Sequence, residues 1–145
     1  MPKRTAQAKV SAPRTSPYLR TPSIARDTII FVHDDDLWRV PTSGGEAIRL
    51  TRSNGPCSRP CLSPDASKVA FTLNVSGQHD IYLMDARGGE AERLTYLDNS
   101  AAAIRWQNDD SLWVRSSHAF LPLSLDEIFS IHLQQREFFG WDEFD

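Results

Sequence analysis

The nine residues 43–51, SGGEAIRLT, return at 87–95 as RGGEAERLT, 44 positions later and with seven of nine unchanged. A repeat of this period constrains the fold more than any single motif does. Repeated units of this size bury their apolar faces only against one another, so the repeat sets the architecture. Upstream of each copy lies a short aromatic run, DLWRVP from Asp36 and DIYLMD from Asp80, again 44 apart. The alignment pairs Leu37 with Ile81, Trp38 with Tyr82 and Val40 with Met84. A third run, EIFSIH from Glu127, sets Ile128, Phe129 and Ile131 in the same places, 47 positions after the second.

These runs are short, aromatic or β-branched, and punctuated by Gly or Asp, which is the chemistry of strands. The paired glycines supply the positive φ that a tight turn requires. Each unit therefore ends in a hairpin: a strand through Trp38 or Tyr82, a Gly-Gly turn, and a strand ending in RLT. Further upstream, RPCLSPDASKVAFT at 59–72 reads as two strands around a Ser-Pro-Asp turn, where Pro presets φ and Asp bonds its own backbone. AIRWQNDDSLWVRS at 103–116 is a looser copy, with Trp106 opposite Leu62. Residues 17–36 hold the matching pair for the first unit. Four short strands in about 44 residues is the signature of one propeller blade. No segment has helical periodicity. The expectation is an all-β chain, a partial β-propeller of two full four-stranded blades and an incomplete third. The blades fall at about 17–51, 59–95 and 103–133 within a propeller region 16–133. A basic tail (1–15) precedes it and an aberrant tail (134–145) follows.

That second tail departs from the pattern. Gln135 and Arg136 stand where two glycines are due, and Phe138, Phe139, Trp141 and Phe144 crowd the last eight residues. A docking peptide and a truncated or frameshifted end both account for it, and truncation is the favoured reading.

Composition adds bounds. With 40% hydrophobic and 24% charged residues, the 145-residue chain falls in the ordinary soluble globular class, with room for about one domain. Residues 1–26 hold six basic residues and no acid, while 27–145 hold ten against nineteen, a balance of −9. Four scattered charges in a polar, Pro-containing tail make a poor phosphate-binding patch, so nucleic acid is not the expected partner. No apolar stretch follows them as in a secretory signal, and none approaches the ~18 residues of a membrane helix. The expected location is the cytoplasm. Cys57 and Cys61 are spaced CxxxC, unlike a zinc or thioredoxin motif, and read as reduced thiols near a strand.

Candidate chemistry is thin. His33-Asp34-Asp35-Asp36 has carboxylates suited to a hard cation, yet it lacks calcium-loop spacing and sits where a turn is needed. Ser116-Ser117-His118 sets a hydroxyl beside an imidazole, but neighbours on a strand point to opposite faces and no nucleophile elbow is present. His79 and His132 read as surface residues in hairpins. Trp38, Tyr82 and Phe129 form an aromatic stripe that reads as core between blades. No phosphate-binding or dinucleotide motif occurs. No catalytic, cofactor-binding or metal-binding residue is assigned, and no cofactor is expected.

The unit of strand, SPD turn, strand, Asp-aromatic strand, GG turn and RLT resembles the TolB-like (WD40-like) propeller repeat. PYLRTPSI, DTIIFVHDDDLWRVPTSGGEAIRLT, KVAFT, RGGEAERLTYL and VRSSH resemble the opening of the tricorn protease family, over about residues 17–133. The resemblance implies a six-bladed first propeller in a large cytoplasmic serine peptidase that shortens oligopeptides. A second, seven-bladed propeller, a PDZ domain and a catalytic domain follow, and the subunits assemble into hexamers. The catalytic Ser, His and Glu of that family lie in downstream domains, so none carries over. It implies a chain that gates or positions peptides, is inactive alone and takes the remaining C-terminal part of a protease as its partner. A TolB-like interaction module and a nonfunctional remnant are the other readings. An open arc leaves two sheet faces wet, so the chain is expected to be marginal alone or to take the rest of its propeller from elsewhere.

Overall fold

The computed structural model describes residues 19–96, 100–120, 123–133 and 137–140. Among these described residues, twelve strands form three four-stranded antiparallel sheets, each in chain order. The first sheet runs β1 (Arg20–Ala25), β2 (Thr28–His33), β3 (Asp36–Pro41) and β4 (Ile48–Arg49). The second runs β5 (Cys57–Leu62), β6 (Lys68–Val75), β7 (Gln78–Asp85) and β8 (Glu92–Arg93). The third runs β9 (Ala101–Asn108), β10 (Ser111–Phe120), β11 (Leu123–His132) and β12 (Glu137–Gly140). These are the blades of a partial β-propeller, with β1 beside β5 and β5 beside β9 on the inner side of the arc. No helix among the described residues is long and apolar enough to cross a membrane.

Local chemistry explains the turns. Asp34 and Asp35 both have positive φ (47° and 63°) and close a two-residue hairpin in which His33 pairs with Asp36. That backbone matches the right-handed twist of the strands it joins, and Asp tolerates it better than a bulkier residue. The repeated glycines do adopt positive φ, at 88° and 119° for Gly44 and Gly45 and 117° and 122° for Gly88 and Gly89. They sit just past the corner. The turn closes from Gly44 N–H to the Pro41 carbonyl (3.0 Å) and from Gly88 N–H to the Asp85 carbonyl (3.1 Å).

The third blade corrects the boundary expected at 134. Residues 137–140, assigned above to a tail, pair with β11 as a fourth strand. Phe129 pairs with Gly140 as Trp38 pairs with Arg49 and Tyr82 with Arg93, so the register of the earlier blades is kept. Strand pairing needs backbone groups and β-forming residues, which Phe138 and Phe139 are, and does not need the glycines. Gln135, Arg136, the basic tail 1–15 and residues 141–145 lie outside the described residues.

Alternation along the middle strands builds two cores. In β6, Val69, Phe71 and Leu73 point one way, and Ala70 and Thr72 the other. The first set joins Ile30, Val32 and Leu37 of blade 1 with Cys57, Leu62, Met84 and Ala86 of blade 2. On the opposite face Ala70, Ile81 and Leu94 meet Ala101, Ala103, Trp106, Leu112, Val114 and Ile131 of blade 3. Blade 2 is therefore buried on both sides. Polar contacts fix the same interfaces: the Leu62 N–H donates to Ser23 Oγ (2.9 Å) and Trp106 Nε1 to the Cys61 carbonyl (2.8 Å). Cys57 and Cys61, on one strand, pack into different cores and are both free thiols.

Phe71 is fully buried at the centre of the first core, with its ring stacked on Tyr82 at 6.0 Å. Phe71→Ala is expected to cost about 3–5 kcal/mol, read from urea denaturation. A loss below about 1 kcal/mol would mean that blades 1 and 2 do not share this core.

Candidate functional site

The conserved part of the repeat builds a polar clamp, not a ligand loop. In blade 1 the buried Asp36 takes an ion pair and hydrogen bond from Arg49 through Oδ2. Thr51 Oγ1 donates to its Oδ1 at 2.7 Å. Thr51 Oγ1 in turn accepts from the Leu37 N–H at 2.9 Å, and Arg49 Nε donates to the Thr51 carbonyl at 3.0 Å. Blade 2 repeats the network with Asp80, Arg93 and Thr95. Arg93 Nη2 lies 2.6 Å from Asp80 Oδ2, Thr95 Oγ1 donates to Asp80 Oδ1 at 2.7 Å, and the Ile81 N–H donates to Thr95 Oγ1 at 3.0 Å. The Arg and Thr of RLT thus tie the two-residue outer strand to the start of the third strand, where short backbone pairing alone is weak. Register puts Gly140 in the arginine's place in blade 3, so that blade cannot form the same clamp.

Asp36 is therefore more than a turn acid. Burial alone raises its carboxyl, but hydrogen bonds from Thr51, Arg49 and Ser53 outweigh that and hold it below its ordinary value. The Ser-Pro-Asp turn uses Asp65 in a similar way. Bonds from the Ser63 hydroxyl, the Ser67 N–H and the Ser67 hydroxyl hold its carboxyl far below the usual range. The Asp65 N–H also donates to Asp109 Oδ1 (2.9 Å), which fastens the turn of blade 2 to that of blade 3.

A pocket of about 320 Å³ opens between blades 2 and 3 where β5, β7 and β9 begin. Among the described residues, Ser58, Arg59, Thr72, His79, Ser100, Ala101, Ala102 and Arg115 line it, and none of these is a carboxylate. Arg59 sits in a bulge of β5 with φ of 49°, immediately before Pro60. Thr21 repeats that geometry before Pro22 in β1 (φ 45°). Bulges of this kind re-aim a side chain out of the sheet's alternation. His79 Nδ1 meets Ser100 Oγ at 3.3 Å, and Thr72 Oγ1 is buried with no hydrogen-bond partner among the described residues. Guanidinium groups only donate and match a planar carboxylate, so the lining suits an anionic group.

The residues singled out in the sequence fall differently. His79 and His132 are half-buried rather than on the surface, each bonded to a serine hydroxyl, His132 to Ser111 at 3.0 Å. Ser116, Ser117 and His118 follow one another in β10, and Ser116 is buried. Tyr82 packs into the first core and Trp38 is half-buried on the outer face of blade 1, while the Phe129 side chain is outside the described residues. Burial raises both thiols, so neither cysteine is an activated nucleophile.

Residues 16–139 match the tricorn protease N-terminal beta propeller domain. The chain belongs to that family. A tricorn protease homolog from Streptomyces coelicolor is 33% identical over 110 residues, 75% of this chain and 10% of that protein. A Sulfurisphaera tokodaii protein named as a Tricorn-like protease N-terminal subunit is 30% identical over 102 residues, 67% of this chain and 51% of that one. The chain thus spans between a tenth and about half of these relatives. Among solved structures, the tricorn protease superposes with a TM-score of 0.74 at 23% identity, covering 86% of this chain and 13% of that chain. TolB from Acinetobacter baumannii gives 0.67 at 19%, covering 85% and 32%. The tricorn propeller match extends to residue 139 and so takes in most of β12.

The clamp predicts a pH response. A carboxyl lowered in the folded state adds stability that is present above its unfolded value, 3.8, and is lost as the pH falls through the folded value. Asp36→Asn should therefore cost about 1–3 kcal/mol near pH 7, and the gap to the wild-type chain should narrow below about pH 4. Urea denaturation at the two pH values measures this. A gap that stays constant would remove the carboxylate from the account.

Proposed function

We propose that this chain is the propeller portion of a tricorn-like serine protease that degrades oligopeptides in the cytoplasm, and that it positions peptides without cutting them. The remaining C-terminal part of the protease is its partner and supplies the catalytic residues. Residues 16–140 form the propeller module in this reading. The observation that carries it, beyond family membership, is the pocket lined by Arg59 and Arg115 on the inner side of the arc. A peptide's terminal carboxylate or an acidic side chain gives these guanidiniums the planar anion they match.

Binding of a short peptide with a free C-terminus is compared with binding of its C-terminal amide, by calorimetry on the full chain. The free acid should bind about tenfold more tightly or better, and Arg59→Ala should remove most of that preference. Equal binding of acid and amide would exclude carboxylate recognition at this pocket.

A further inference from the structure

One position on the second strand of each blade is filled differently in all three. Val32 pairs with Arg20 and Leu37, Thr72 with Ser58 and Ile81, and Arg115 with Ala102 and Ile128, so the three are equivalent. In blade 1 the valine is 1% exposed and packs into the first core. In blade 2 the threonine is 3% exposed, yet its hydroxyl has no hydrogen-bond partner among the described residues. Threonine has the shape of valine with a hydroxyl in place of one methyl, and burying that hydroxyl unpaired disfavours folding. Valine serves the packing at this position, so the oxygen of Thr72 answers to something else. Thr72 forms part of the wall of the pocket between blades 2 and 3, beside Ser58, its partner across the strands. The lining is graded. Arg59 and Arg115 are exposed, Ser58 and Ser100 are half-buried, and Thr72 and Ala101 are buried. Cationic groups thus stand at the mouth, and a small residue and an uncharged hydroxyl stand at the floor.

We infer, resting on the carboxylate reading of this pocket, that Thr72 sets specificity for the last residue of a bound peptide and selects serine or threonine there. The α-carboxylate and the β-hydroxyl of such a residue are close together, and so are the groups that meet them. Arg59 follows Ser58 along β5, and Ser58 stands opposite Thr72, an arrangement in which the two Cβ atoms lie ~5 Å apart. A turn about χ1 exchanges the methyl and the hydroxyl of a threonine between staggered positions, so the oxygen reaches a ligand without moving the backbone. A hydroxyl donates and accepts without charge, and its complement is another uncharged hydroxyl. A peptide ending in valine has the shape of one ending in threonine but lacks the oxygen. It covers Thr72 and leaves it unpaired, which is the less favourable state.

Calorimetry on the full chain compares peptides that differ only at their ends: threonine or valine as the last residue, each as free acid and as amide. The acid ending in threonine should bind about tenfold more tightly than the acid ending in valine. Thr72→Val should bring the two within about twofold, and Thr72→Ser, which keeps the hydroxyl, should retain the preference. Because Thr72→Val removes an unpaired buried oxygen, its urea midpoint should match or exceed that of the wild-type chain. A lower midpoint would give the hydroxyl a structural role and overturn the proposal. So would a preference for threonine that persists in Thr72→Val, or the absence of binding by any of the peptides. If the acids outbind the amides while threonine and valine bind alike, Thr72 loses its role and the carboxylate reading stands. If acid and amide bind alike while threonine still outbinds valine through Thr72, the carboxylate reading fails and the role of Thr72 stands.

Discussion

A four-stranded sheet that is apolar on both faces cannot stand by itself, and the rest of this structure follows from that. Blade 2 has a neighbour on each side, and its middle strand β6 is almost wholly buried. Blade 1 has one neighbour, and the burial of β2 alternates residue by residue as a result. The difference does not come from composition, since Ile29 and Phe31 are as apolar as Val69 and Phe71. Burial here measures the neighbours a blade has rather than the residues it carries.

The polar clamps answer a second problem. Two-residue outer strands contribute little backbone pairing, so side chains must hold them in place. Asp36 and Asp80 do this by accepting from the arginine that ends the outer strand and from the threonine two residues beyond it. Each threonine then caps a buried backbone N–H. An apolar residue at the threonine would leave that N–H without its acceptor, and one at the aspartate would take the carboxylate from the arginine, which is why these positions form a unit. Blade 3 takes a different route. Its outer strand is four residues long and pairs at four positions, two more than β4 or β8, so backbone bonds do what the clamp does elsewhere.

Much of this was legible in the repeat. The 44-residue offset fixed the blade count of the first two units, the strand pairs and the turns at Asp34-Asp35 and Pro64-Asp65. The clamp was also within reach: Asp36, Arg49 and Thr51 recur at the same offset as Asp80, Arg93 and Thr95. It was missed because Asp36 ends a run of three aspartates, and local context reads as a turn. The strand β12 was missed because the motif, not strand propensity, was taken as its marker. The pocket had no sequence signal at all. Arg59, His79, Ser100 and Arg115 lie on different strands and connections and do not recur at the matching positions of the other blades, so only the packing of blade 2 on blade 3 assembles them.

The two kinds of feature therefore sit at different ends of the blade for a physical reason. Repeated residues occupy the outer strands and the faces between blades, where every blade has the same task. Unrepeated ones occur where the inner strands bulge, because a bulge frees a side chain from the alternation that packing imposes. Arg59 is released in this way, and at the matching position of blade 1 the same bulge releases Thr21. A scaffold of identical blades can thus carry a charged group at one inner position and a neutral one at the next without disturbing either core. That makes the inner rim, and not the repeated GGEA turn, the part of this fold in which binding specificity can vary.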